Sequence, residues 1–192
     1  NPRTVRSNEK VRSSLISLSE NIYNGNANYL GVDLGVRYAL LRLGIPRGTD
    51  TRASLREQVI ANRERKAGAM QFIRREFLGD SIRSLVSEKN FVSARDDIRY
   101  LGGSDRPYFS AYISLGELIE NPDNRAAQKN VQSYVDDTAS PAAFGNLRNP
   151  RQASFYRSVE NLLLGASFYN TIEDFGKARK INDKLVETLA NK

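Results

Sequence analysis

The stretch from residue 155 to residue 189 reads FYRSVENLLLGASFYNTIEDFGKARKINDKLVETL and indicates the fold class. Its apolar residues recur every three or four positions, a spacing that places side chains on one face of an α-helix. The first row comprises Phe155, Val159, Leu162, Leu163, Ala166 and Tyr169; the second comprises Ile172, Phe175, Ala178, Ile181, Leu185 and Leu189. With a turn at 171–176, this pattern predicts two antiparallel helices, 151–170 and 173–190. A single long helix is the competing interpretation.

The same periodicity predicts a long helix over residues 54–87. It begins at Ser54-Leu55-Arg56-Glu57, which fits a capping box: the Ser hydroxyl and the Glu carboxylate would bind the free amides of the first turn. The apolar spacing continues across Gly79. We therefore expect one helix, with a kink at that glycine.

A further apolar pattern covers residues 90–120, interrupted by Gly102-Gly103 and Pro107. Whether its two pieces share an axis stays open, and Pro107 suits the first position of a restarted helix. Residues 123–135 predict a short helix, and residues 136–150 are rich in turn formers and predict a loop.

No convincing two-residue alternation occurs, so the predicted fold class is all-α. The four long segments, each with one apolar stripe, predict an antiparallel up-down four-helix bundle over residues 53–192, with a loop and short-helix insertion at about 121–152. Residues 1–52 carry a modest helical pattern at 4–23 and then many Gly, Asn and Pro residues. We interpret them as a partly irregular N-terminal arm that docks on a partner. A chain lacking this arm is expected to stay folded.

The composition excludes several kinds of chemistry. The chain has 192 residues and contains no His and no Cys. Disulfides, thiolate nucleophiles, imidazole bases and the zinc and haem ligand sets built on those residues are therefore excluded. No stretch approaches the roughly 18 consecutive apolar residues that indicate a membrane-spanning helix.

The remaining catalytic and metal patterns are weak. Ser7-x-x-Lys10 matches a nucleophile spacing that is common by chance, and it lies in the arm. Asp96-Asp97 is an adjacent acid pair, but neighbours on a helix point about 100° apart and do not converge on one metal. Asp136-Asp137 lies near a predicted helix end and is expected to cap or solvate it. A diiron bundle would need Glu-x-x-His pairs. We predict no catalytic residue, no metal ligand and no cofactor.

The chain is basic, with 29 Lys and Arg against 22 Asp and Glu, a net charge of +7. Such an excess favours an acidic partner, and a nucleic acid is the alternative interpretation. Most helical cations alternate with acidic residues, however, which is typical of a solvated helix face. Nucleic-acid binding is therefore the less favoured of the two.

Two tyrosines of the arm, Tyr29 and Tyr38, lie outside the long helical stripes, as does Tyr108 beside Pro107. Aromatic residues flanked by arginine are typical interface anchors. We predict partner contacts at Tyr29, Tyr38, Arg42 and Arg47. The alternative is that the arm folds back on its own bundle.

Two parts of the chain combine apolar spacing with particular charged residues. The first is Leu85-Val86-Ser87-Glu88-Lys89-Asn90-Phe91, which continues to Asp97-Ile98-Arg99. The second consists of Ser158-Val159-Glu160-Asn161-Leu162, Glu173-Asp174-Phe175-Gly176-Lys177-Ala178 and Ile181-Asn182-Asp183-Lys184-Leu185. In these stretches the chain resembles the PsbQ family, the extrinsic lumenal subunits of photosystem II. Phe91 stands where the family commonly has Trp. The break at Gly102-Gly103 and Pro107, the insertion at 121–152 and the Gly-rich arm depart from the green-plant type, whose Pro-rich N-terminal segment is also lacking. The chain is therefore more similar to the PsbQ-prime form of red algae and diatoms.

The resemblance implies a four-helix bundle without catalytic activity. It implies docking on the lumenal face of photosystem II, against the core and other extrinsic subunits, in the thylakoid lumen of a chloroplast. There the protein would help retain calcium and chloride for oxygen evolution by shielding the complex. A scaffold for another membrane complex or a pigment antenna is a further, weaker interpretation.

Overall fold

The computed structural model describes residues 13–14, 16–17, 30–44, 46, 48–64, 68–103, 105–139 and 153–190. These ranges contain helices and turns and no strand, which confirms the all-α prediction for the described part of the chain. Eight helices have defined bounds: α1 (Leu30–Arg42), α2 (Arg52–Ala61), α3 (Gly68–Ser87), α4 (Phe91–Ile98), α5 (Asp105–Glu120), α6 (Arg125–Thr138), α7 (Ala153–Thr171) and α8 (Phe175–Ala190).

The predicted pair of C-terminal helices is confirmed as α7 and α8, which pack against each other. Glu173 has a positive φ of 61° in the three-residue connection, a conformation that ends a helix. The Asp174 carboxylate accepts a hydrogen bond from the Lys177 amide at 3.2 Å, at the start of α8. The competing single helix is therefore wrong.

The predicted helix over 54–87 is two helices, α2 and α3. The cap of α2 also lies three residues earlier than predicted. Thr51 accepts a hydrogen bond from the Ser54 amide, and the Ser54 hydroxyl accepts one from the Thr51 amide, each at 3.0 Å. Ser54 thus takes the role expected of Glu57, because its hydroxyl reaches the amide of the capping residue, here Thr51.

The predicted segment 90–120 is also divided, into α4 and α5. The turn after α4 precedes Gly102 and Gly103, so the glycines mark a break. Pro107 is the third residue of α5 rather than the first; its missing N–H is harmless there, because the first turn has no carbonyl partners for its amides. The predicted short helix is α6, capped by the Asn124 side chain, which accepts from the Ala127 amide at 3.1 Å.

The chain forms two compact units. The first contains Asn1–Arg83 and Asp96–Gly102. In this unit α1 packs against α2. Its buried apolar side chains include Leu34, Leu40, Leu55, Met70, Phe77 and Ile82. Residues 30–42 of the predicted arm form a helix, and Leu34 and Leu40 on it are packed with 1% exposure.

The second unit contains Ser84–Arg95 and Gly103–Lys192. Here α7 packs against α5, α6 and α8, and α5 packs against α6. The buried side chains come from all four helices and include Phe109, Ile113, Val131, Leu162, Phe168 and Ile181. Among the described residues, no helix has the length and apolar character needed to cross a membrane.

Candidate docking surface

The predicted contact residues Tyr38 and Arg42 lie on α1, which packs closely against α3. A β-carbon at Gly31 would lie 2.6 Å from the Met70 amide nitrogen and 2.8 Å from the Ala69 carbonyl carbon. Both distances are shorter than real side-chain contacts, and backbone atoms cannot move aside as a flexible side chain would. Glycine at position 31 therefore lets the two helices lie side by side in the first unit.

Tyr38 lies in the interior beside α3, with 5% of its surface exposed. Its ring meets that of Phe77 at a centroid distance of 4.8 Å and an angle of 64°, an edge-to-face arrangement. The Tyr38 hydroxyl donates a hydrogen bond to Asp80. Burial and this bond raise the pKa of Tyr38 to about 12, so the hydroxyl remains protonated at neutral pH.

Arg42 marks the outer edge of the same cluster. Its side chain is 63% exposed, and its Nη1 lies 3.4 Å from Asp80 Oδ2. The guanidinium carbon lies 5.9 Å from the centroid of the Tyr38 ring, within cation–π range. Asp80 also pairs with Arg83 at 3.2 Å. The Asp80 carboxylate is thus shared among Tyr38, Arg42 and Arg83.

An open groove of about 750 Å³ runs between α1 and α3 within the first unit. Its walls are mostly apolar, and Arg42 and Glu76 supply the charged groups. The apolar lining includes Val32, Val36, Ala39, Leu43, Ala69, Phe72 and Ile73. Phe72 is 65% exposed, a large fraction for an aromatic side chain.

The four predicted contact residues have different outcomes. Tyr29 and Arg47 lie outside the described residues. The structure brings Tyr38 and Arg42 together, but only Arg42 is substantially exposed. The burial of Tyr38 against α3 agrees with the alternative in which this part of the arm folds back. A partner contact at any of the four stays a prediction.

Sequence reasoning did not select Phe72, because it lies beside the row formed by Met70, Ile73 and Phe77 rather than in it. The sequence does contain a sign of its exposure. An aromatic residue directly beside a complete row of apolar residues lies at the edge of the buried helix face. Tyr108 also lies outside the long helical stripes of the sequence. It is buried in the second unit, where the Arg157 guanidinium lies 4.9 Å from its ring centroid.

Charge pairs in the first unit join helices across long stretches of sequence. Arg37 donates from Nε to Asp50 Oδ2 at 2.8 Å and from Nη1 to Gln58 Oε1 at 2.9 Å. The hydrogen bond to Asp50 raises the pKa of Arg37 above its usual value. Asp97, fully buried, accepts from Arg56 Nε at 3.0 Å and from Ser81 Oγ at 2.8 Å. These acids act as structural acceptors.

The side chains of the first acid pair diverge, as helix geometry requires. Asp97 is buried, whereas Asp96 is exposed and lies 3.2 Å from Arg99. Asp136 accepts from Gln132 Nε2 at 2.6 Å. Within the described ranges, no three acidic side chains are grouped as a metal site would need. Ser7 and Lys10 lie outside those ranges.

Comparison with protein-family models, with curated proteins and with solved structures finds no match to this chain. The resemblance to the PsbQ family therefore rests on the residues quoted above.

Proposed function

We propose that the chain is a non-catalytic extrinsic subunit of the PsbQ family, of the PsbQ-prime type. In this proposal it docks on the lumenal face of photosystem II, in contact with the core and other extrinsic subunits, peripheral to the thylakoid membrane. It stabilises the oxygen-evolving complex by covering it, which slows the loss of calcium and chloride. Its net charge of +7 favours an acidic docking surface.

The observation that carries the proposal is the packing of the first motif in the second unit. A β-carbon at Gly116 would lie 2.7 Å from Val86 Cγ1 and 3.0 Å from Phe91 Cε1, so both side chains press on the glycine surface of α5. Lys89, in the turn between them, has a φ of 59°, and Asn90 accepts from the Ser93 amide at 3.2 Å. An apolar residue, a charged turn and a bulky aromatic residue are what this geometry needs, and they are the features that the family resemblance rests on.

The packing of α5, α6, α7 and α8 gives further support. Helices joined by short connections are typically antiparallel neighbours. The three-residue and four-residue connections after α7 and α5 therefore suit an up-down bundle. We propose that α5, α6, α7 and α8 form the up-down four-helix bundle. These four helices replace the four segments that the apolar periodicity predicts for it. The second set of motif residues lies on α7, on α8 and in the connection between them.

The proposal is tested by salt release and rebinding. The protein should leave thylakoid membranes in high salt, because the attraction of an oppositely charged surface is screened. Adding it back to salt-washed photosystem II particles should restore oxygen evolution at low calcium and chloride. Failure of the wild-type chain to rebind these particles would contradict the proposal.

A charge-reversal pair sharpens this test. Arg42→Glu should weaken rebinding several-fold, whereas Arg179→Glu, at a position 83% exposed on α8, serves as the matched control. Retention on a nucleic-acid column at about 150 mM salt, with a steep salt dependence, would favour the nucleic-acid alternative.

A further inference from the structure

We infer that the groove between α1 and α3 binds an amphiphile with a single anionic group: the apolar body lies along the groove and the acid group pairs with Arg42. The groove shares Arg42 with the proposed docking surface, but the inference goes beyond that docking and is tested on the isolated chain. The inference rests on the size of the groove, on its exposed aromatic wall and on the position of its charges.

The size of the groove suits a small molecule. Its volume of about 750 Å³ falls within the range of ligand sites, roughly 300–1,000 Å³. Along α1 it runs from Gly31 to Arg42, a length of about 16 Å at the helical rise. Gly35 has no side chain to fill the groove. The space beside it is open, since the nearest atom to a β-carbon at this position would be Ile73 Cδ1 at 3.9 Å.

Two large apolar side chains that line the groove, Val32 and Phe72, are exposed to solvent. Phe72 is 65% exposed and Val32 is 39% exposed. Contiguous exposed apolar surface of this kind is characteristic of binding grooves, since covering it removes apolar area from water. An aliphatic or aromatic ligand body would cover both side chains at once.

The charges divide the groove into an apolar end and a polar end. Because Gly31 lies beside Ala69 and Tyr38 beside Phe77, α1 and α3 run in the same direction, and Arg42 stands at the far end. Asp80 is shared with the Tyr38 hydroxyl and Arg83, which reduces the negative charge that Arg42 meets. An anionic head group would therefore pair with the exposed Arg42 guanidinium. Glu76 also lines the groove and opposes such a group, which selects against a second negative charge.

The experiment uses the full chain and two fluorescent probes of similar apolar body, the anionic anilinonaphthalene sulfonate and the neutral N-phenylnaphthylamine. We expect the wild type to bind both, with decanoate displacing them at lower concentration than decylammonium. Phe72→Ser should weaken both probes about tenfold. Arg42→Gln should weaken only the anionic probe, by about threefold, as expected for an exposed ion pair. Glu76→Gln should strengthen only the anionic probe.

Val186→Ser is the matched control, because Val186 is 66% exposed on α8 and does not line the groove. Its probe binding should equal that of the wild type. All variants change exposed or half-exposed groups, and far-ultraviolet circular dichroism checks that they stay helical. The inference is overturned if the wild type binds neither probe. A groove covered by another part of the chain would give this same result and would overturn it too. Equal binding by Phe72→Ser and Val186→Ser, or an equal effect of Arg42→Gln on both probes, overturns it as well.

Discussion

Asp97 is a carboxylate that folding removes from water. Asp97 has no exposed surface, yet it accepts hydrogen bonds from Arg56 and Ser81, which belong to different helices. A buried charge is tolerated only when donors replace the water that it loses. The three side chains therefore act as one polar connection between α2, α3 and α4 inside the first unit.

Replacing Asp97 should destabilise the protein. Asp97→Ala leaves the buried Ser81 hydroxyl and part of the Arg56 guanidinium without their acceptor, which costs about 1–3 kcal/mol. The Arg56 side chain is 38% exposed, so water partly replaces the lost partner and keeps the cost below that of a fully buried pair. Urea denaturation measures the change. Asp183→Ala, which removes the partner of the exposed Arg179, should change stability by less than about 0.5 kcal/mol. Equal effects of the two substitutions would contradict this account.

The ionisation of the Tyr38 hydroxyl should make the stability of the folded protein depend on pH in the alkaline range. Its pKa is about 12 in the folded chain, against an ordinary value of 10.0, so the folded state holds this proton more tightly than the unfolded state does. The protonated Tyr38 hydroxyl makes its full contribution to the free energy of unfolding below pH 10. That contribution decreases as the pH rises from 10 to 12, by about 2 kcal/mol at most.

The measurement is the denaturation midpoint as a function of pH. We expect the loss between pH 10 and 12 to be smaller in Tyr38→Phe than in the wild type. Tyr156→Phe, at a position 67% exposed, should lose as much stability as the wild type does. Tyr134 also has a pKa raised to about 12 by burial, so part of the pH dependence should persist in both variants.

The spacing of α1 and α3 depends on one glycine of the two on α1. Position 31 faces backbone atoms at 2.6 and 2.8 Å, whereas position 35 has open space up to 3.9 Å. Gly31→Ala should therefore force the helices apart and destabilise the protein by about 1–3 kcal/mol, as overpacking does.

Gly35→Ala is the control for that substitution. It removes the same conformational freedom from the same helix, and it should stabilise the protein by up to about 1 kcal/mol because alanine favours the helix. Thermal denaturation distinguishes the two. Two changes of the same sign would show that helix propensity, and not the close approach, governs α1.

Considered as a whole, the chain divides its apolar residues between two cores, and residues 30–42 belong to the first of them. Deleting residues 1–52 removes Leu34, Tyr38 and Leu40, which exposes the groups that they cover on α2 and α3. We therefore expect the truncated chain to lose the structure of the first unit, contrary to the expectation of a dispensable arm.

The second unit contains its own buried residues on α5, α6, α7 and α8 and should remain helical in the truncated chain. Hydrogen exchange followed by mass spectrometry measures the protection of backbone amides in each unit separately. Amides of α3 should exchange faster after the deletion, and those of α7 should not. Unchanged protection of α3 would restore the interpretation of residues 1–52 as a detached arm.

The sequence by itself determined the helical class and the α7–α8 pair, because the periodicity of a helix and the residues that end it are local along the chain. It left open whether the helix continues across Gly102-Gly103. It did not determine where Tyr38 lies or that Phe72 and Arg42 border one groove. Those features depend on contacts between residues far apart in sequence, such as Tyr38 with Asp80 and Arg56 with Asp97, which are 42 and 41 positions apart. Only the tertiary structure decides them, since no spacing within one helix encodes which face of another helix will cover it.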